Sequence, residues 1–164
     1  MYIITATARL NIRPINLADA AFMYTLLNSD GWLRFIGNRN INSLADAELY
    51  IQHILDKPDA FYNIVELKSE RKAIGLVTLM KRDNQKFMDI GFALLPDYEK
   101  KGYAIEASRK YLAELLKLQV YENIIGISMS SNTKSIKVLE KLGLSFQSSF
   151  TDKNQELHLY ALHK

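Results

Sequence analysis

Apolar and polar residues alternate over residues 7–13 (TARLNIR) with the period of a strand, and Pro14 breaks the run. Asn16 and Asp19 then have the spacing of an N-terminal cap before an apolar-rich helix that extends through Leu27. A second helix is predicted from 43 to about 57, because Leu44, Ala47, Ile51, Ile54 and Leu55 fall near helical spacing. Ser43 and Asp46 supply its cap, and Pro58 stops it. Between the two helices GWLRFIGNRN (31–40) reads as a loop with aromatic and cationic side chains, the kind of segment that touches substrate.

Three apolar runs follow, FYNIVELK (61–68), AIGLVTLMK (73–81) and FMDIGFALL (87–95), joined by linkers short enough for hairpins. They predict an antiparallel meander. The period changes over 102–118, where Ala104, Ala107, Tyr111, Leu115 and Leu118 mark a helix face and Glu106 and Lys110 an external i,i+4 pair. ENIIGISMS (122–130) returns to a strand, so 87–130 is a strand–helix–strand unit, expected to be parallel and right-handed. A short helix over 132–142 ends at Gly143 in a left-handed cap that Leu144 closes. Strands at about 144–150 and 155–163 complete the chain as a hairpin.

Composition narrows the chemistry. The 164 residues carry 48% hydrophobic side chains, which suits one globular domain over 1–164 whose folding buries roughly 70% of the unfolded surface. The absence of cysteine removes disulfides, thiolate metal sites and a cysteine nucleophile, so acyl transfer cannot pass through a protein thioester. Of three histidines, His53 stands apart in sequence, and His158 and His163 differ by an odd number, which turns them to opposite faces of one strand. No metal site is expected. A net charge of +3 gives no more than a mild preference for anions and does not support nucleic-acid binding. With no basic leader and no apolar run of 18 residues, the chain reads as soluble, unexported and cytoplasmic, with no membrane partner.

The informative stretch is LLPDYEKKGYAIEA (94–107), a strand end, a lysine-bearing turn with Gly102, and a helix start. A helix N-terminus leaves about four unpaired N–H groups and roughly half a positive charge, and Gly102 allows close backbone approach. Lys100 and Lys101 add cationic charge. The pattern points to a phosphate group, although a solvated basic turn needing glycine for its backbone angles fits equally well. Neither GxGxxG nor GxxxxGK[ST] occurs, so the usual nucleotide loops are absent.

DIGFALLPDYEKKGYAIEA, followed by NTKSIKVLEKLGL, resembles the GNAT superfamily of acetyl-CoA-dependent N-acetyltransferases, closest to its ribosomal-protein N-terminal acetyltransferase branch. The resemblance implies that the amides of Lys101, Gly102, Tyr103 and Ala104 cradle the pyrophosphate of coenzyme A. It also implies that Leu94 and Leu95 pair like an added strand with the pantetheine arm. Two positions depart from the branch: Glu99 stands where Gln, Arg or an aromatic is usual, and Lys100 where Gly is common. Glu99 places negative charge near the phosphates, which Lys100 offsets.

Read from the residues alone, Asn132 or Ser131 caps the helix and Ser135 reaches back as the other half of the cap. The resemblance instead puts Asn132 on the cofactor arm and Ser135 near the thioester sulfur as proton donor to the leaving thiolate. Both roles are compatible. Asp89 shares a strand face with Gly91, Ala93 and Leu95, which leaves room for a ligand; it is read either as a partly solvated acid or, by resemblance, as a water-assisted base for the amine. Trp32, Arg34 and Arg39 are candidates for an acceptor pocket, with core packing as the plainer role for the aromatic. Tyr98 and Tyr103 flank the cofactor loop, with packing as their plainer role, and Glu156, His158 and Tyr160 on the last hairpin are further candidates to reach the acceptor, which sequence alone does not place.

The expected fold is a single α/β domain of the GNAT type, a mixed, mostly antiparallel sheet flanked by helices and splayed near 87–95 and 122–130 to admit acetyl-CoA. The expected reaction is direct acetyl transfer from acetyl-CoA to a primary amine, an α-amino group of a protein, peptide or small molecule, by a monomer or homodimer. The alternatives are transfer to polyamines or other small amines, and a GNAT-like module that binds acyl-CoA without turnover.

Overall fold

The alternating segments form eight strands: Thr5–Ala6 (β1), Leu10–Pro14 (β2), Ala60–Leu67 (β3), Lys72–Lys81 (β4), Met88–Leu94 (β5), Ile124–Met129 (β6), Leu144–Asp152 (β7) and Gln155–Leu162 (β8). They make one sheet in the order β1-β2-β3-β4-β5-β6-β8-β7. The computed structural model describes residues 1–162, so His163, expected on the last strand, lies outside the described residues. All pairings are antiparallel except that of β5 with β6, which is parallel as the crossover requires. Pro14 belongs to β2 rather than ending it early. It sits beyond the reach of β1, which pairs only with Asn11 and Ile12, so the missing N–H costs no ladder bond there.

The sheet is covered on both faces. Ala20–Leu27 (α1) and Leu44–Leu55 (α3) pack on β3 and β4 through Met23, Leu26, Ala47, Ile51, Ile54, Ile64 and Leu76. On the opposite face Tyr103–Lys117 (α4) and Thr133–Lys141 (α5) bury Ala107, Tyr111, Leu115 and Leu139 against Leu10, Val65, Leu79 and Ile90. Asn16 and Asp19 form the expected capping box, and Ser43 Oγ accepts from the Asp46 amide at 3.1 Å to start α3. Leu44 and Leu55 are exposed, so the buried stripe of α3 is Ala47, Ile51 and Ile54.

Two expectations need correction. The segment 31–40 is not wholly a loop: Asp30–Phe35 forms a short helix (α2) that drives Trp32 into the core, 5% exposed. Glu106 does not pair with Lys110. Its carboxylate accepts from the Thr7 hydroxyl at 2.5 Å and Arg9 Nε at 2.6 Å, while Lys110 pairs with Glu114 at 2.8 Å. Arg9 brings its amide, Nε and Nη2 to this one carboxylate and Thr7 adds a hydroxyl, more donors than a single lysine offers.

The parallel pairing is short. Met88 and Asp89 pair with Ile124 and Ile125, and residues 90–94 of β5 have no partner on β6. The sheet therefore opens between β5 and β6, directly before the loop that leads to α4.

Candidate active site

The turn after β5 carries Pro96–Tyr98 as one turn of 3-10 helix, then Glu99, Lys100, Lys101 and Gly102. Lys100 (φ 60°) and Gly102 (φ 82°) both adopt left-handed backbone, and Gly102 is the N-cap of α4 without any side-chain cap. The amides of Lys101, Gly102, Tyr103 and Ala104 donate to no acceptor among the described residues. A 15-residue helix thus presents its positive end with uncapped donors, a ready seat for an anion. A Cβ at Gly102 would stand 3.4 Å from Arg9 Nη2.

The turn is fixed from below. Arg9 Nη1 donates to the Lys101 carbonyl at 3.1 Å, and its guanidinium lies 4.4 Å over the Tyr103 ring and pairs with Glu106. Burial pushes the Glu106 carboxyl up, but hydrogen bonds from Thr7 and Arg9 and the Arg9 charge outweigh it and hold the group below its ordinary value. Tyr98, 7% exposed, donates to Glu70 at 2.6 Å. Tyr98 and Tyr103 are thus packing residues of the loop.

Of the two leucines expected to face a pantetheine arm, Leu94 ends the unpaired run of β5. Leu95 has its main chain engaged already: its amide donates to the Ile74 carbonyl at 2.8 Å and its carbonyl accepts from Tyr98 at 3.0 Å. The open strand edge is therefore 90–94.

Across the opening stands the first turn of α5. Asn132 is its N-cap, and Oδ1 accepts from the Ser135 amide at 3.2 Å. The reciprocal half of the cap is absent, because the Asn132 amide donates to the Met129 carbonyl at 2.9 Å. Ser135 contributes its backbone to the cap and leaves its hydroxyl free of it. Lys134 Nζ, one residue earlier, reaches Glu99 Oε2 at 2.8 Å, so an ion pair spans from α5 to the turn before α4. A Cβ on Gly31 would lie 3.7 Å from Glu99 Oε1, which places α2 at the same point.

Asp89 sits at the foot of the opening, 2% exposed rather than partly solvated. Oδ2 accepts from Arg82 Nε at 2.5 Å and Oδ1 from the Ile127 amide at 3.0 Å. Burial pushes its pKa up, against the charge and hydrogen bond of Arg82 and the Ile127 amide. The side chain takes the β6 amide that a continued ladder would have given to the β5 main chain, so Asp89 occupies the point where the strands part.

The remaining candidates scatter. Arg34 is exposed over the Phe35 ring at 5.0 Å, and Trp32 Nε1 is buried without a partner. Tyr160, opposite Gly126, is buried in the core beneath α5, and Glu156 and His158 share its strand face. That is the face away from Asp89, so the last hairpin does not direct these three side chains to the Asp89 side of the sheet. Arg39 lies instead in a cavity of about 360 Å³ with Tyr50, His53, Ile54, Lys57, Ala60, Tyr62 and Met80. Sequence reading missed Arg9, Arg82 and Lys134. Arg82 was the accessible one, since the hairpin between β4 and β5 brings residues flanking its turn together.

No group of three His, Asp or Glu side chains suited to a metal occurs among the described residues. No described helix is long and apolar enough to cross a membrane. The free amides, the left-handed glycine and the unpaired edge of β5 fit an extended thioester with a phosphate end.

Comparison with known proteins agrees with that geometry. Residues 9–145 match the family model described as an acetyltransferase (GNAT) domain. An uncharacterized N-acetyltransferase, YnaD of Bacillus subtilis, is 26% identical over 145 residues, 88% of this chain and 84% of that protein. A GNAT-family acetyltransferase from Bacillus anthracis superposes with TM-score 0.81 at 25% identity, covering 99% and 98% of the two chains. A ribosomal-protein-S5-alanine acetyltransferase from Vibrio fischeri gives TM-score 0.83 at 21% identity over 97% and 95%. The chain belongs to the GNAT family of N-acetyltransferases.

Proposed function

We propose that this acetyltransferase moves the acetyl group of acetyl-CoA directly to a primary amine, with an α-amino group preferred over a lysine side chain. The observation that carries the reading is the uncapped N-terminus of α4 next to a sheet that opens between β5 and β6. In this reading the amides of Lys101, Gly102, Tyr103 and Ala104 hold the pyrophosphate, assisted by Lys100, and residues 90–94 hold the pantetheine arm. Asn132 keeps the first turn of α5 in place. Acetyl-CoA supplies the activated acyl group.

The amine nitrogen attacks the thioester carbonyl, the C–N bond forms and the C–S bond breaks; the Ser135 hydroxyl gives its proton to the leaving sulfur and is reprotonated through water by the proton that the amine releases. No acyl-enzyme is needed, and with no cysteine present none forms on sulfur. Asp89, buried and bound on both oxygens, acts on this step by keeping β5 and β6 apart; the amine gives its proton to water. An unassisted proton loss favours the α-amine, which titrates near 8, over lysine near 10.4, a difference of about 3.3 kcal/mol. That preference also agrees with the resemblance to N-terminal acetyltransferases of ribosomal proteins.

The test is thiol release from acetyl-CoA with free N-terminal peptides, N-blocked lysine peptides and polyamines at one pH. The α-amino substrates should give the highest kcat/KM. Blocked lysine peptides turning over fastest would refute the preference and require a stronger base than water.

A further inference from the structure

We propose that the cavity between α3 and strands β3 and β4 is the acceptor's recognition pocket, and that it selects an amine carrying a carboxylate about 10 Å from the reacting nitrogen. The inference rests on the acetyl-transfer reading above for the place of the nitrogen, and names the class of acceptor.

The cavity is lined by Arg39, Lys57 and His53 at its rim and by Tyr50, Tyr62 and Met80 beneath them. No Asp or Glu lines it. Of the acids nearby, Asp56 accepts from Gln52 at 2.8 Å and Asp89 from Arg82 at 2.5 Å, and Asp59 is exposed outside the lining. Tyr62 is 7% exposed; burial and then the neighbouring Tyr50 raise its pKa, and the positive charges of Arg39 and Arg82 act the other way. Two cations with no acidic partner among the described residues and phenolic hydroxyls below them suit an anion with an apolar stem. A polycation would meet like charge and no partner there.

The floor of the cavity leads to the opening of the sheet. Ala60, Met80 and Asp89 lie side by side on β3, β4 and β5, and Tyr62, Thr78 and Gly91 form the next row on the same face. Gly91 has no side chain, and the Thr78 hydroxyl from the neighbouring strand fills the place a Cβ would take, 2.5 Å from it, so this row presents a polar oxygen at β5. Two strand spacings separate its ends, about 10 Å. An acceptor lying along this row would place its nitrogen at β5 and its anionic end between Arg39 and Lys57.

Calorimetry on the protein saturated with coenzyme A tests this without turnover. The probes are the tripeptide amides Ser-Ala-Glu and Ser-Ala-Gln, 8-aminooctanoate and its amide, and spermidine. The glutamate peptide should bind about tenfold tighter than its glutamine twin, given one close charge contact of about 1.4 kcal/mol, and the ratio should shrink with added salt. Arg39→Gln and Lys57→Gln should each lower that ratio severalfold, whereas Lys117→Gln, on the far end of α4, should leave it unchanged. A stronger carboxylate effect in the aminooctanoate pair than in the peptides assigns a small amino acid as acceptor; the reverse assigns an acidic N-terminal segment. Equal binding of each acid and its amide, or tightest binding of spermidine, overturns the proposal even if neutral amines are acetylated. Selective binding of the acids with no amine acetylated upholds the pocket and refutes the transfer reading instead.

Discussion

Asp89→Ala separates a structural hold on the opening of the sheet from a proton-transfer role. The change deletes two hydrogen bonds, from Arg82 Nε and the Ile127 amide, at a carboxylate that is 2% exposed. Hydrogen bonds to a charged group are worth about 1.5–3 kcal/mol each. Arg82 is 42% exposed and regains water when its partner goes, so its bond counts at the low end or below. Relief from burying the charge, the cause of the raised pKa, offsets a further part. A net loss of about 2–3 kcal/mol remains, which in a domain of this size lowers Tm by roughly 4–12 °C.

Calorimetric melting should be paired with steady-state kinetics. If Asp89 holds the strands apart, KM for acetyl-CoA rises and kcat falls together, because the freed β6 edge no longer keeps its distance from β5. An unshifted Tm with kcat reduced a thousandfold, KM intact and the acidic limb of the pH–rate profile lost would refute this and make Asp89 the base. The pH dependence has a definite sign. A carboxyl whose folded pKa is raised contributes stability that is full below its unfolded value near 3.9 and is lost as pH rises through the folded value. The stability advantage of the wild type over Asp89→Asn should therefore narrow as pH climbs from about 4, since other groups cancel in that difference.

Three further outcomes follow from the site. Gly102→Glu should weaken acetyl-CoA binding at least tenfold by calorimetry, since a side chain at φ 82° is strained, crowds Arg9 and brings a carboxylate to the phosphate seat. Ser135→Ala should lower kcat about 10- to 100-fold with unchanged affinity and unchanged Tm, because the cap uses the Ser135 amide, while Asn132→Ala should cost about 1 kcal/mol of stability. Glu99→Gln should raise acetyl-CoA affinity severalfold, as it frees Lys134 for the phosphates and removes a like charge; equal or weaker binding would show that the ion pair orders the groove instead.

Much of the fold was legible because its signals are local. The meander, the switch of period at 102, the caps at Asn16 and Ser43 and the left-handed end at Gly143 each rest on a few adjacent residues. The errors came where a distant partner decided. Glu106 took Arg9 across 97 positions in preference to a lysine one helical turn away. Segment 31–40 looked like a loop because its glycines and arginines hid the six-residue helix that buries Trp32.

The same distinction separates the two halves of the site. The proposed phosphate seat is made of backbone, and backbone geometry is written in consecutive residues: a strand end, a proline, a left-handed glycine and a helix start. The proposed acceptor side is made of side chains brought together by the sheet, with Arg39 before α3, Lys57 after it, Tyr62 on β3 and Met80 on β4. None of these is near another in sequence at a spacing that chemistry recognises, and their charge has meaning only once the cavity excludes acids. A chain can therefore keep its reaction while exchanging its substrate. With the acceptor bound as proposed, altering those four side chains would change it and leave the glycine turn untouched, whereas the reverse change would break the start of α4.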